Sequence, residues 1–252
     1  TGKWILCGEH AVLQGATAIA APHADEALEF EFYPNEADDR LVSPKQWSSI
    51  GAMLDRAQGM AASKGLRWVP PRGRVEIRSS IPVGAGMGSS AALCVAVTRW
   101  LGPQIGIQEQ DFFEFARSLE DHFHGRSSGL DVATVLSGGS SGVVRYKMGV
   151  APEWLPLKAV PKFTFHDTGM RARTSDCVAK VDAFRSSHPE SGRNWDAMMG
   201  DASKRALSAL QDGNLPSLAA AMNDAHRCFE AWGLVPGEIS AQRDELVRRG
   251  AL

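Results

Sequence analysis

A glycine-rich stretch directly before a helical pattern carries the clearest chemistry in this sequence. Residues 81–92 read IPVGAGMGSSAA, and an apolar run follows to residue 101. A helix N-terminus has unpaired N–H groups and about half a positive charge, and glycines let the backbone approach a ligand closely. The stretch therefore predicts an anion site, and phosphate is the usual anion there.

Two common phosphate loops do not fit this stretch. A Walker A loop ends in GK[ST], which is missing here, and a dinucleotide fingerprint aligned on Gly84 and Gly86 requires a third glycine at Ser89. A flexible turn before a core helix remains an alternative for the loop taken alone. The hydroxyls of Ser89 and Ser90 either cap the helix or, beside a carboxylate, bind Mg²⁺.

The segment LEDHFHGRSSGLD places two carboxylates eleven residues apart, at Glu120 and Asp131. A loop that folds back could bring them into one pocket, where one holds a metal and the other accepts a proton. Either residue alone is more often a solvated surface carboxylate. His122 and His124 form a possible metal pair, but no cysteine or HExxH pattern supports zinc, so helix-end histidines without a metal are the preferred interpretation.

The segment GKWILCGEHAVLQG opens the chain with a short apolar strand and a glycine break. Lys3 precedes the strand, and Glu9 and His10 follow the glycine. By itself the segment is a strand and turn with ordinary polar residues.

Composition places the chain among globular proteins. It has 252 residues, of which 44% are hydrophobic and 22% are charged, and a net charge of −2. No charge run predicts a nucleic-acid or membrane partner, and no apolar stretch reaches the length of a membrane span. The four cysteines are widely spaced without a CxxC pair, which argues against zinc and against a disulfide framework and favours a reducing cytoplasm. The oligomeric state stays open, with a homodimer as one candidate.

Hydrophobic periodicity positions the motifs on elements. Strands are predicted at 27–33 and 73–82, and helices at 50–65 and 88–101. After a proline-marked stretch, a strand KFTFHDT at 162–168 and two helices are predicted. We expect a boundary near residue 155, with an N-terminal lobe over 1–155 and a C-terminal lobe over 156–252.

Together the three segments resemble motifs of the GHMP kinases, a superfamily that includes galactokinase, homoserine kinase, mevalonate kinase and phosphomevalonate kinase. PVGAGMGSSAA is similar to the signature P-x-x-x-G-[LM]-G-S-S-A-A. GKWILCGEHAVLQG resembles the mevalonate kinase motif G-K-x-I-L-x-G-E-H-A-V-x-x-G, and EDHFHGRSSGLD resembles E-x-x-x-H-G-x-P-S-G-x-D. The similarity extends over nearly the whole chain.

The resemblance implies a fold and an activity. The fold is α+β in two lobes, an N-terminal lobe like ribosomal protein S5 domain 2 and a ferredoxin-like C-terminal lobe. The activity is ATP- and Mg²⁺-dependent phosphorylation of the primary hydroxyl of mevalonate. Alternatives are a GHMP kinase for a sugar or phosphomevalonate and a non-catalytic ATP or metabolite sensor. A nicotinamide dehydrogenase is disfavoured because the required acidic residue is missing.

The resemblance also implies residue roles. Asp131 would be the catalytic base, and Lys3 would pair with it and keep it ionised. Glu9, His10 and Thr174 would line the mevalonate side.

On the nucleotide side, Ser90 and Glu120 would hold Mg²⁺. The residues that would contact ATP are Ser79, Gly84, Ala85, Gly86, Met87, Gly88, Ser89 and Ser90.

The sequence departs from the family pattern in three places. Met87 replaces the commoner leucine at little cost, and Ser127 replaces proline, which we expect to loosen the turn before Asp131. The family's third motif, K-x-T-G-x-G-x-G-G, is expected just after Leu252, so we expect the C-terminal lobe to be truncated here. The first residue, Thr1, already lies in a strand pattern, so we also expect a preceding segment.

Overall fold

A computed structural model describes residues 1–35, 37–38, 41–44, 48–125, 127–138 and 141–251, without the side chains of His122 and His124. The strands are β1 (Gly2–Cys7), β2 (Ala18–His23), β3 (Leu28–Pro34), β4 (Leu41–Val42), β5 (Gly73–Ser79), β6 (Gly142–Tyr146) and β7 (Glu153–Pro156). The helices are α1 (Ser49–Ser63), α2 (Ser89–Leu101), α3 (Phe112–His124), α4 (Leu130–Ser137), α5 (Thr174–Ser187), α6 (Pro189–Asp212), α7 (Leu215–Ala231) and α8 (Gly237–Arg248). Short 3₁₀ turns lie at Ala11–Gln14, Pro103–Ile105 and Glu109–Asp111.

The chain forms two compact units. Unit 1 contains Thr1–Lys3 and His23–Gly138, and unit 2 contains Trp4–Pro22 and the chain after Gly138. This division differs from the boundary expected near residue 155, because β6 and β7 extend the sheet of β1 and β2 and so join unit 2. The lobe assignment 1–155 and 156–252 itself stays a prediction.

Unit 1 is built on a three-stranded sheet of order β3-β5-β4. The antiparallel register runs from Leu28 opposite Ser79 to Pro34 opposite Gly73, as the alternating sequence of β3 predicts. The inward rings Phe30 and Phe32 lie 5.2 and 4.8 Å from the ring of Trp100 on α2. The sheet is thereby covered on one face by helices.

The helices of unit 1 position the motifs. The glycine loop leaves β5 and enters α2, which packs against α3 and α4. Glu120 lies in the last turns of α3, and Asp131 lies in the first turn of α4. Apolar residues of all three helices form their shared core, including Ala91, Val95, Ala116, Val132 and Val135.

Unit 2 is built on a four-stranded sheet of order β1-β2-β6-β7. Strands β2 and β6 pair antiparallel, with Ala18 opposite Tyr146 and Ala20 opposite Val144. Helices α5, α6 and α7 contribute to a core that also receives apolar residues from β1, β2 and β6. Helix α7 begins at a capped end, where Asn214 Oδ1 accepts a hydrogen bond of 3.1 Å from the N–H of Ser217.

Two expectations for the C-terminal half are wrong. Residues 162–168 form no strand, and after them come four helices, α5 to α8, where two are predicted. The alternating residues do place apolar rings together, since Phe163 and Phe165 lie 4.5 and 5.2 Å from the ring of Trp4. No neighbouring strand among the described residues supplies hydrogen bonds, so alternation alone did not make a strand.

None of the helices in the described ranges combines the length and the apolar character needed to cross a membrane.

Candidate active site

An ion pair between a buried lysine and a partly exposed aspartate lies at the centre of the candidate site in unit 1. Lys3 Nζ is 2.8 Å from Asp131 Oδ2, and the two side chains are 4% and 27% exposed. Asp131 lies in the first turn of α4, where the helix dipole favours a negative charge. The structure therefore brings together the two residues proposed as base and partner, and leaves the carboxylate accessible.

The glycine loop is attached to Lys3. The N–H of Lys3 donates to the carbonyl of Met87 at 3.0 Å. Gly88 has a φ of 78°, and a Cβ there would lie 2.6 Å from Lys3 Cγ. The last residue of the loop must therefore be glycine if the lysine stem is to keep this path.

The rest of the loop presents its backbone to solvent. Gly84 and Gly86 are exposed, Ala85 and Met87 are half-buried, and α2 begins directly after the loop. Ser89 and Ser90 are half-buried in the first turn of α2. An accessible helix N-terminus behind a flexible loop is the geometry that phosphate oxygens require.

Glu120 is a buried carboxylate with one oxygen unused. Glu120 is 1% exposed, and Ser127 Oγ donates a hydrogen bond to its Oε2. Within the described residues, Oε1 has no hydrogen-bond partner. Burial and the nearby charge of Asp131 raise the pKa of Glu120 to about 8, against the lowering effects of Ser127 and Lys3.

Ser90 lies in the first turn of α2, which packs against the helix α3 that carries Glu120. Cys94 is four residues after Ser90, so both are on one face of the helix. Burial and then the charge of Glu120 raise the pKa of the Cys94 thiol. The unpaired Oε1 of Glu120 and the hydroxyl of Ser90 are oxygen donors of the kind that Mg²⁺ prefers. The described residues contain no cluster of three or more acidic, histidine or cysteine side chains that could hold a metal alone.

Ser127 makes hydrogen bonds across the turn before Asp131. Its hydroxyl donates to Glu120 and accepts from the N–H of Gly129 at 3.0 Å. Its own N–H donates to Asp121 Oδ1 at 2.8 Å. A proline ring cannot make these bonds, and the expectation that the turn is looser than one with proline stays a prediction.

The acceptor-side candidates lie in unit 2. The ring of His10 is buried and lies 5.8 Å from the ring of Phe229 and 6.0 Å from that of Trp232. Burial lowers the pKa of His10, which favours the neutral ring at neutral pH. Glu9 is half-buried, and Thr174 is exposed at the start of α5.

Cys177 places Glu9 near α5. It lies one helical turn after Thr174, so the two share a face. Burial and the charge of Glu9 raise the pKa of the Cys177 thiol. The charge of Glu9 therefore acts on the face of α5 to which Thr174 belongs.

The structure does not join Ser79 to the other candidates. It is exposed at the end of β5, and its Oγ accepts from the N–H of Ile81 at 3.2 Å, a local contact. The side chains of His122 and His124 are outside the described part of the chain.

Two contributing residues were missed by sequence reasoning. Ser127 was noted only as a departure, although a serine two residues before glycine is a known turn signal. Arg185 donates to the carbonyl of His10 and pairs with Asp196, which lie 175 and 11 residues away. No local pattern could have identified Arg185.

Comparison with known proteins gives two kinds of match. The model of the GHMP kinases N terminal domain matches residues 50–139. The mevalonate kinase of Pyrococcus horikoshii is 33% identical over 267 residues, which cover 92% of this chain and 76% of that protein.

Solved structures show the same fold. The mevalonate kinase of L. major, in complex with R-mevalonate, superposes with a TM-score of 0.66 at 23% identity, covering 92% of this chain and 74% of that one. The phosphomevalonate kinase of Streptococcus pneumoniae, in complex with phosphomevalonate and AMPPNP, gives 0.69 at 16% identity, covering 92% and 78%. The expected α+β, two-lobed fold is thereby confirmed.

Proposed function

Because this chain belongs to the mevalonate kinase family of the GHMP kinases, we propose that it transfers the γ-phosphoryl group of ATP to the primary hydroxyl of mevalonate, giving 5-phosphomevalonate and ADP. The resemblance identified from three motifs is confirmed, and the chain is a phosphotransferase whose acceptor is an alcohol. The single observation that supports the reaction best is the Lys3–Asp131 ion pair, which lies against the glycine loop.

Asp131 is the proposed base. It takes the proton of the acceptor hydroxyl while the alcohol oxygen bonds to the γ-phosphorus and the bond to the β–γ bridging oxygen breaks. Lys3 pairs with Asp131 and offers positive charge where negative charge develops. Such positioning and charge neutralisation are what phosphoryl transfer needs from a protein.

The proposed ATP site is the glycine loop and the start of α2. The backbone amides from Gly84 to Ser90 would bind the phosphates, and Ser79 would contact the nucleotide from the end of β5. Ser90 and Glu120 would hold Mg²⁺, as the unpaired buried Oε1 of Glu120 supports. The ion would neutralise charge on the β- and γ-phosphate oxygens.

The proposed acceptor residues are Glu9, His10 and Thr174. A neutral, buried imidazole and an exposed hydroxyl suit hydrogen bonding to the hydroxyls and carboxylate of a small polyol acid. Their common membership of unit 2 and the closeness of Glu9 to α5 support one shared site.

We further propose a cytoplasmic enzyme whose partners are ATP and mevalonate, without nucleic acid or membrane. All four cysteines are free thiols, which suits a reducing compartment. A homodimer is the proposed assembly to test by light scattering.

The test is an ADP-release assay with ATP, Mg²⁺ and a panel of mevalonate, phosphomevalonate, galactose and homoserine. We expect turnover with mevalonate alone, lost when Mg²⁺ is removed. Asp131→Asn should abolish turnover, by at least about 10³-fold, while ATP binding measured by calorimetry persists. Turnover with another alcohol would replace the substrate, and ATP binding without any turnover would favour a metabolite sensor.

A further inference from the structure

Arg185 is a mostly buried cation in unit 2, next to the acceptor-side candidates. Its side chain on α5 is 14% exposed. Nε and Nη2 donate to the two oxygens of Asp196 at 3.0 and 2.7 Å, and Nη1 donates to Asp182 at 3.0 Å. This two-pronged pairing fixes the plane of the guanidinium.

The same guanidinium reaches the backbone of His10. Nη2 donates to the His10 carbonyl at 3.2 Å, and that oxygen also accepts from the N–H of Leu13 at 3.2 Å. His10 has φ 63° and ψ −46°, and the N–H of Ala11 donates to the carbonyl of Glu9 at 2.7 Å. These values define a γ-turn of the rare, strained kind.

A strained backbone persists only where its surroundings hold it. The ring of His10 is fixed on one side by Phe229 and Trp232, and the guanidinium carbon of Arg185 lies 5.8 Å from the ring centre of Trp232. A Cβ at Gly192 of α6 would lie 3.2 Å from both Cα and Cγ of Arg185. The missing side chain at Gly192 therefore leaves space for the aliphatic part of the Arg185 side chain.

We propose that Arg185 is a positioning residue that holds the γ-turn at His10 and thereby orients Glu9 and His10 for the acceptor alcohol. The inference rests on the proposed function, which assigns the acceptor to these two side chains. Arg185 acts through the backbone of His10. Its contacts are within unit 2, whereas the glycine loop, Lys3 and Asp131 are in unit 1. Its loss should therefore affect the acceptor more than ATP.

The first variant is Arg185→Lys. Lysine keeps the charge and can pair with Asp196, but it lacks the planar fork that serves both Asp196 and His10. We expect the KM for the acceptor to rise about tenfold, which corresponds to about 1.4 kcal/mol, while the KM for ATP changes less than about twofold. Calorimetry with mevalonate in the absence of ATP should show the same loss of affinity.

A second variant tests the geometry around Arg185 without changing any charged side chain. Gly192→Ala crowds the stem of Arg185, and we expect the same selective effect on the acceptor, with a smaller factor.

Arg205→Lys is the matched control. Arg205 lies on α6 and pairs with Asp201 at 2.7 Å and Asp224 at 2.6 Å, so it has a similar pair of carboxylates without a contact to the γ-turn. Both KM values should stay at the wild-type level. Thermal unfolding of every variant identifies any protein that has lost its fold.

The outcomes separate this inference from the proposed function. If the wild-type protein phosphorylates no alcohol of the panel, the proposed function fails and this inference fails with it. If the wild-type protein is active and folded Arg185→Lys and Gly192→Ala bind the acceptor normally, this inference alone is overturned. An equal rise in both KM values would also overturn it, because that is the signature of a general structural role.

Discussion

At the scale of single residues, the candidate site places the buried carboxyl group of Glu120 near the carboxyl group of Asp131. Burial and the nearby charge of Asp131 raise the pKa of Glu120, and one oxygen of Glu120 is buried without a described partner. An unpaired buried acceptor costs about 1–3 kcal/mol. A bound cation would offset this cost, whereas without a cation these carboxyl groups lower the free energy of unfolding.

Glu120→Gln should stabilise the ligand-free protein at pH 7 by about 1 kcal/mol, because the raised pKa of the Glu120 carboxyl destabilises the fold above the pKa of the unfolded state. The amide is neutral beside Asp131, and its oxygen can still accept from Ser127. Denaturant unfolding without ATP and Mg²⁺ measures the change, and the variant should lose Mg²⁺-dependent turnover.

Glu114→Gln on the same helix is the control for this prediction. Glu114 is largely exposed and pairs with Arg117 at 2.7 Å, so its loss should change stability by less than about 1 kcal/mol. A clear destabilisation by Glu120→Gln would contradict the assignment of a strained carboxylate.

Cys177 should be the first thiol to react in the native protein. Cys7, Cys94 and Cys228 are 2%, 0% and 0% exposed, whereas Cys177 is only half-buried. Its raised pKa means that less thiolate is present at a given pH, so alkylation by iodoacetamide should be slow at pH 8 and still accelerate above pH 9. Mass spectrometry of the labelled peptides measures the order, and Cys177→Ser should remain unlabelled under the same conditions.

At the scale of elements, the end of the glycine loop depends on its contact with β1. Gly88→Ala places a Cβ at φ 78° and 2.6 Å from Lys3 Cγ, whereas Gly86→Ala has a similar φ of 74° and open space around it. We expect backbone strain in each variant to lower the free energy of unfolding by about 1–2 kcal/mol. Only Gly88→Ala should also displace the side chain of Lys3. Turnover should therefore fall at least about tenfold further in Gly88→Ala. Equal turnover in the two variants would show that the contact with Lys3 is unimportant.

Sequence patterns predicted those elements whose local signals agree with their packing. Strand β3 alternates because one face meets Trp100, and α2 is apolar nearly all round because it packs against two other helices. The Lys3–Asp131 pair was expected because the resemblance to the GHMP kinases implies it.

The features that sequence patterns did not predict depend on residues that are distant in the chain. Residues 162–168 alternate like a strand, yet nothing local shows whether a neighbouring strand is present. Ser127 acts through Glu120, and Arg185 acts through His10, which lies 175 residues away in the chain. Such contacts become visible only when the chain is folded.

At the scale of the whole molecule, neither compact unit is one continuous segment. The chain changes unit after Lys3, after Pro22 and after Gly138. Unit 2 takes two of its four strands, and core residues such as Leu6 and Ile19, from the first 22 residues. Its stability therefore depends on both ends of the sequence.

The chain after Gly138, expressed alone, should fail to fold cooperatively, because its sheet lacks β1 and β2. The register of β2 and β6, extended by two residues, places Pro22 opposite Gly142, so a two-residue Asn-Gly turn can join the two segments. Fusing Trp4–Pro22 to residues 142–252 in this way should restore strand signal in circular dichroism and a sigmoidal thermal transition. A cooperative transition in the unfused fragment would refute the dependence.

The exposure of one face of α5 has a consequence for how such an enzyme can diversify. Lys3, Gly88, Asp131, Glu120 and Ser127 are linked by direct contacts or close charges, so a change at one position alters its neighbours. Thr174 is exposed and Cys177 half-buried on one face of α5, where new side chains meet few constraints. Mutational libraries selected for a new acceptor alcohol should therefore yield active variants mainly with substitutions on α5. The residues proposed for phosphoryl transfer should be unchanged in these variants.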